Sequence, residues 1–488
     1  MSAPHSSPVS TRALCAVAGA LALVAWLVYR DVLAYPHLGW DTWPLIAASH
    51  IESVSDFFGT FTEELMDGYY VDGNFYRPLV HFSFALNYAI SGTDAWSYHA
   101  FDLGLLALNA GFLAALTARL FGSTSLAAPL VCGLFFLLHP AQMDVLPVSA
   151  RRADGLFLLF TLLAVLCSLR SSTRASLIAG VCATFAVASK ETGLIAAPLV
   201  FACASLFADG TWRQRLAAGA RRSVPTVLGV VAFAIARTVV LGGLGGHASS
   251  ASPELVASAF SFAHAYAGLV VVPQGDLFGI ASEWVGTIVA LLFGSQLILL
   301  ARVRGGAQAR AGCFLAIWMT LVFLISVASG RIEPWYTMAF IAVLAPAIGW
   351  LANVVVEERP RRLGLTSVMS VVILLAALVP SLVASLPLRE QPEWPALASR
   401  TENYFERLSK RLEEAEETES IARKVPLSIT YETETGRRTL SFLAVYTVRA
   451  WVAMTFGDSI VVRGRNEDAE GGGTAELVLE PTAVLQKL

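Results

Sequence analysis

The sequence predicts an all-α polytopic membrane protein of about eleven spans, with added interfacial helices, ending in a small C-terminal α+β domain. Composition is the first observation behind this. Of 488 residues, 56% are hydrophobic and only 15% charged, too apolar for a soluble chain of this length. The second is spacing, because the apolar residues fall in runs long enough to cross a bilayer, parted by short loops that carry arginine. A net charge of −3 with no basic stripe argues against nucleic acid as a partner, since phosphate-backbone binding needs a basic face.

Candidate spans begin near Ala13, Tyr98, Ser125, Gly155, Ala175, Thr192, Ser223, Trp284, Gly312, Tyr336 and Leu365. The first follows Arg12 and lacks a small-residue cleavage site, so it is expected to be retained. Cys15, Cys132, Cys167, Cys182, Cys203 and Cys313 lie in apolar segments at no metal-ligand spacing, as small buried hydrophobes do.

Orientation follows from arginine. Arg119, Arg170 with Arg174, the loop of Arg213, Arg215, Arg221 and Arg222, the group Arg302, Arg304 and Arg310, and Arg359 with Arg361 and Arg362 mark the cytoplasm. Two further apolar stretches, Pro78 to Ile90 and Leu255 to Pro273, are short or interrupted, and counting them as spans would throw some clusters outside. They are therefore expected along the outer interface. The chain then sits in the plasma (inner) membrane with its N-terminus cytoplasmic and its C-terminus outside. Residues 1–388 form the membrane domain, with a long acidic and aromatic first outer loop at 31–76, and residues 389–488 form the extracytoplasmic domain. Within the latter, Glu393 to Lys424 reads as a charged amphipathic helix and Val425 to Glu480 as short strands.

Ionisable residues at or near a bilayer are costly, and each needs a partner, water or a job. Asp41 lies between Trp40 and Trp43, where tryptophans are ordinary interface anchors and the acid is either a solvated loop residue or a base able to take a hydroxyl proton. Arg77 precedes Pro78 at a helix start and can snorkel to headgroups or grip a lipid phosphate. The hairpin from His139-Pro140 through Asp144 to Arg152 and Asp154 carries two arginines against the positive-inside bias, explained equally by internal pairing or by substrate. Lys190 is the one lysine of the membrane region, beside Glu191 in a tight turn. Arg331 lies on the outer side, and Arg237 lies inside a span about one and a half turns from its outer end, where a buried carboxylate or bound anion is expected.

Acids and cations converging on one outer cavity suit transfer of a glycosyl group from a lipid phosphate. Fixed cations stabilise the departing phosphate, a carboxylate deprotonates the acceptor hydroxyl, and single displacement inverts the sugar carbon. A polytopic transporter or lipid-linked sugar flippase is the alternative, though it favours midplane cavities, broken helices and internal repeats that the sequence does not display. A non-catalytic scaffold would leave Arg237, Lys190 and Arg331 without a purpose.

The order Asp41, Tyr76-Arg77-Pro78-Leu79 with Asn87-Tyr88, Tyr98-His99, His139-Pro140 with Asp144, Arg152 and Asp154, then Lys190-Glu191, resembles the GT-C membrane glycosyltransferases. Within them it is similar to the transmembrane protein O-mannosyltransferases that modify cadherins, and to their bacterial relatives. The likeness covers the first half well and the later spans loosely. It implies a GT-C fold and a sugar, mannose in that group, taken from a polyprenyl or dolichyl monophosphate donor to a protein, glycan or lipid acceptor outside the cytosol. It further implies Asp41 as catalytic base, with Arg77, Lys190 and Arg331 on the donor phosphate. His99, Asp144, Arg152, Asp154, Glu191 and Arg237 complete the expected substrate site. Monophosphate-donor members generally work without a metal, although a divalent ion is compatible with the chemistry. Three departures leave the acceptor open: Asp144 stands where the family has glutamate, Asp102 where it has asparagine after Tyr98-His99, and the tail replaces the tetratricopeptide repeats that often follow.

Overall fold

The computed structural model describes residues 9–51, 53–66, 69, 75–243, 245, 255–271, 287, 290, 291, 294, 306–329, 333–357 and 393–416, then 422–426, 430–432, 439–441, 445–456, 461–463 and 474–478. Among them the chain is overwhelmingly helical. Helix α1 spans Thr11–Tyr29, and Ser10 caps it by accepting the Ala13 N–H. The segment after α1 holds two short helices, α2 (Thr42–Ala48) and α3 (Val54–Gly59), the latter closed by a reciprocal Ser53–Asp56 capping box. Helix α4 (Pro78–Ser91) starts on proline, whose missing N–H costs nothing in a first turn. Then come α5 (Ala95–Phe121), α6 (Ala127–Leu138), α7 (Arg152–Ser168), α8 (Thr173–Ser189), α9 (Ala196–Leu206), α10 (Trp212–Leu241), α11 (Leu255–Val271), α12 (Gly306–Ser329), α13 (Thr337–Glu357), α14 (Glu393–Glu416) and α15 (Val445–Phe456).

Among the described residues, five helical segments are long and apolar enough to cross a membrane: Thr11–Ala34, Ala95–Phe121, Trp212–Leu241, Gly306–Ser329 and Thr337–Val356. Shorter apolar helices occur at Ala127–Leu138, Thr173–Ser189 and Glu191–Leu206. The protein is a multi-pass membrane protein, and α10 shows why in side-chain terms. Its Val227, Leu228, Val231, Ile235 and Val239 point outward and are exposed, the inverse of a soluble helix and the arrangement that lipid rewards. The stretches expected at the interface form α4, of 14 residues, and α11, of 17 residues, each shorter than the usual span of about 20. The spans expected from Trp284 and Leu365 lie mostly or wholly outside the described residues.

One expectation needs correcting. Arg213, Arg215, Arg221 and Arg222 do not form a loop before a span at Ser223, but occupy the first turns of the 30-residue α10. Arginine, alanine and leucine are strong helix formers, and Thr211 starts the helix with a capping box to Gln214, so nothing stops it before the apolar stretch. Gly242 then ends it in the left-handed region.

The chain falls into two compact units. The first comprises Met1–Arg30, Asp102–Leu146 and Ala153–Arg389. Here α10 packs along α8 and α9, α13 along α6, and α12 along α9 and α13. Small residues allow the close approach, since a side chain on Gly180 would meet the Pro225 backbone. Ala164, Ala183, Ala186, Ala196, Val200 and Val230 fill the space between these helices.

The second unit comprises Asp31–Phe101, Pro147–Arg152 and Glu390–Leu488. Helix α14 buries Leu397, Ala398, Phe405, Leu408 and Leu412, which fall along one face. Leu38, Val148 and Leu397 form a small core with Tyr35 and Trp394 against it. Strands β1 (Ala422–Pro426), β2 (Thr430–Glu432), β3 (Thr439–Ser441), β4 (Val461–Arg463) and β5 (Thr474–Val478) make an antiparallel sheet ordered β1-β5-β4 and a separate β2-β3 pair. Helix α15 lies within Val425 to Glu480, which the sequence reads as short strands.

Candidate active site

In the second unit the chain enters α2 through Gly39, Trp40 and Asp41. Gly39 sits at φ +89°, and a β-carbon there would press on Val148, so the turn has room only for glycine. Asp41 caps α2 and is half-buried, leaving its side chain clear of the helix backbone. Tyr446 of α15 donates its hydroxyl to Asp41 Oδ1 at 2.9 Å, and Thr447 donates to the Trp40 carbonyl at 2.6 Å. Trp451 of α15 lies 4.6 Å from Phe405, which in turn meets Trp43 edge-on at 6.0 Å. Burial raises the Asp41 pKa, while the Tyr446 hydrogen bond and the charges of Arg77 and Arg151 work in the opposite direction. Among the described residues none of these arginines makes an ion pair with Asp41.

Arg77 caps α4, half-buried, with its guanidinium 4.6 Å from the centre of the Phe75 ring. Arg152 is placed differently from its neighbour Arg151. It is 2% exposed and donates to Ser83 Oγ at 3.2 Å, Asn87 Oδ1 at 2.7 Å and the Tyr98 carbonyl at 3.1 Å. The Phe84 and Phe101 rings flank it at 4.5 Å each. His99 is fully buried and donates through Nε2 to the Pro36 carbonyl at 3.4 Å. His37, donating through Nε2 to the Thr93 carbonyl at 2.9 Å, is held neutral, its pKa pushed down to about 3 by burial and then by His99.

In the first unit the charges meet one another. Lys190 Nζ lies 2.6 Å from Asp154 Oδ1 and 4.4 Å from the centre of the Tyr336 ring, with both charged side chains almost fully buried. Arg237 Nη1 reaches Glu191 Oε1 at 2.7 Å, which supplies the carboxylate expected for an arginine inside a span. Since Lys190 and Glu191 are adjacent, the four residues run as an alternating series. Asp144 closes a tight turn, Pro140–Asp144, which starts on His139; that histidine accepts from the Ala141 N–H and donates to the Val270 carbonyl at 2.7 Å. Arg331 lies outside the described residues.

No family model matches the chain. A segment of 128 residues is 37% identical to the protein O-mannosyl-transferase tmtc2 of Xenopus laevis. The likeness is to protein O-mannosyl-transferases. A segment of the same length is 34% identical to the human TMTC2 protein, and each match spans 24% of this chain and 15% of the relative. This chain therefore matches only a small part of the length of these O-mannosyl-transferases. Among solved structures, an apo oligosaccharyltransferase from Archaeoglobus fulgidus aligns at TM-score 0.48 and 15% identity, covering 77% of this chain and 56% of that one. ArnT from Cupriavidus metallidurans, bound to undecaprenyl phosphate, aligns at TM-score 0.46 and 16% identity, covering 80% and 74%.

The residues singled out in the sequence thus distribute over two arrangements: Asp41, Arg77, His99 and Arg152 in one unit, and Asp144, Asp154, Lys190, Glu191 and Arg237 in the other. Sequence reasoning missed Tyr446 and Thr447 entirely, and it named Arg152 without Arg151, whose charge acts on Asp41. The doubled arginine was a visible signal, but the two residues were not separable by type. Among the described residues, no three of His, Cys, Asp and Glu come together as metal ligands.

Proposed function

We propose that this chain is a GT-C glycosyltransferase of the inner membrane that moves a sugar, mannose in the O-mannosyl-transferase case, from a polyprenyl or dolichyl monophosphate to an acceptor hydroxyl outside the cytosol. Asp41 is the base that takes the hydroxyl proton, and attack from the opposite face inverts the sugar carbon. Arg77 and Arg151, whose charges act on Asp41, stabilise the phosphate as it leaves. Residues 1–388 form the membrane enzyme, with the N-terminus cytoplasmic, and residues 389–488 lie outside. The acceptor is a protein, a glycan or a lipid.

The observation that carries this reading is the setting of Asp41. A carboxyl with a raised pKa, held by a neutral hydroxyl and set in the field of two arginines, has what a base needs beside an anionic leaving group. Sequence identity to O-mannosyl-transferases supports the reaction class. The test is Asp41→Asn in proteoliposomes supplied with a polyprenyl-phosphate sugar, for which turnover falls by about 10²–10⁴. Turnover equal to the wild type overturns the assignment, and movement of the lipid-linked sugar across the bilayer without transfer replaces it with a flippase.

A further inference from the structure

The C-terminal segment departs from the pattern of the proteins this chain resembles, and nothing in the proposed reaction requires it. Yet one of its helices reaches the residue on which that reaction depends. Consecutive residues of α15 grip consecutive residues of the first outer loop: Thr447 holds the Trp40 carbonyl and Tyr446 holds the Asp41 carboxylate. The helix is anchored for this purpose by buried Val448, Ala450, Trp451 and Val452. Tyr446 itself is 5% exposed. A buried phenol needs a hydrogen-bond partner, so its hydroxyl and Asp41 are each fixed by the other.

We infer that Tyr446 is a positioning residue for Asp41, so that the C-terminal segment takes part in the chemistry of the first outer loop. The inference rests on Asp41 acting as the base. By occupying Oδ1, the hydroxyl holds the carboxylate in one rotamer and leaves Oδ2 as the edge offered to an acceptor. An aspartate in a loop otherwise samples several rotamers, and a base must be aimed before it is effective. The hydroxyl also stabilises the ionised form, together with Arg77 from the start of α4 and Arg151 from the turn before α7, against the cost of burial.

The experiment uses the full chain in detergent and in proteoliposomes. The Asp41 carboxyl is titrated by infrared difference spectroscopy, with Asp41→Asn as the blank, and the pH dependence of sugar transfer is measured on the same preparations. Tyr446→Phe keeps the ring and removes the donor. The carboxyl midpoint then rises by about one pH unit, and the acid limb of the transfer profile moves up with it. Activity at high pH falls by less than about tenfold. Placing 3-fluorotyrosine at 446, a stronger donor, moves the midpoint in the opposite direction. If Tyr446→Phe lowers transfer equally at every pH and leaves the carboxyl midpoint in place, Tyr446 only supports the fold and the inference is overturned. Should Asp41→Asn transfer sugar like the wild type, the base assignment falls and takes this inference with it. An inactive Asp41→Asn beside an unshifted Tyr446→Phe removes the positioning role alone.

Discussion

The Lys190 cluster and the Asp41 site are built from similar residues and treat charge in opposite ways. Around Lys190 every named charge is answered by its opposite: Asp154 at 2.6 Å, and in the next pair Glu191 with Arg237 at 2.7 Å. At Asp41 the contact is a neutral phenol, and the arginines act through their field rather than by ion pairing. A satisfied pair is at an energy minimum and resists change. A carboxylate held by a hydroxyl remains able to change its protonation state, which is what a base does. Counting buried ionisable residues finds both places; the partner tells them apart.

The sharpest way to break this comparison is to remove one side of a satisfied pair. Lys190→Ala leaves Asp154 buried and uncompensated, and costs about 3–5 kcal/mol of stability, measured as thermal unfolding in detergent. Removing Asp154 as well restores much of it, and a double-mutant cycle gives the coupling. Asp41→Asn behaves otherwise. A carboxyl whose pKa is raised on folding favours the folded state at low pH and loses that contribution as pH rises through the raised value. The amide has no such loss, so the variant is at least as stable as the wild type at neutral pH, where it is inactive.

Next in size is Arg152. Replacing it with methionine removes three hydrogen bonds and three ring contacts from a fully enclosed site, with a cost of about 2–4 kcal/mol. A large loss of transfer with stability unchanged would instead put Arg152 on the substrate. Arg77→Ala leaves stability within about 1 kcal/mol, weakens donor binding, and moves the acid limb of transfer to higher pH, because the lost cation had been lowering the Asp41 pKa. The smallest effect is expected at the partly exposed Glu191–Arg237 pair, where Glu191→Gln costs about 1 kcal/mol or less in the same unfolding measurement.

The spans were legible because a bilayer demands long apolar runs, and α1, α5, α8 and α13 begin within three residues of where hydropathy places them. The start of α10 was not, since arginine marks the membrane edge in sequence yet costs a helix nothing. Helix α15 was hidden for another reason. Val445, Tyr446, Thr447, Val448, Trp451 and Val452 favour strands by intrinsic preference, and only the burial of one helical face overrides it. Of the site, Asp41 and Arg77 stood out by their settings between aromatic residues and before proline. Their partner on α15 lies 405 residues away from Asp41 and carries no local signal. Arg151 and Arg152 are the same residue type side by side, and only their orientation at the start of α7 sends one toward Asp41 and the other into a pocket of rings.

That separation of 405 residues has a temporal side. Ribosomes add about 5–20 residues per second, so a growing chain carries Asp41 for roughly 20–80 s before Tyr446 has been made. During that interval Asp41 lacks the hydroxyl that holds it. Translation order thus sets when the Asp41–Tyr446 contact can form, since only chains whose synthesis has passed α15 can make it.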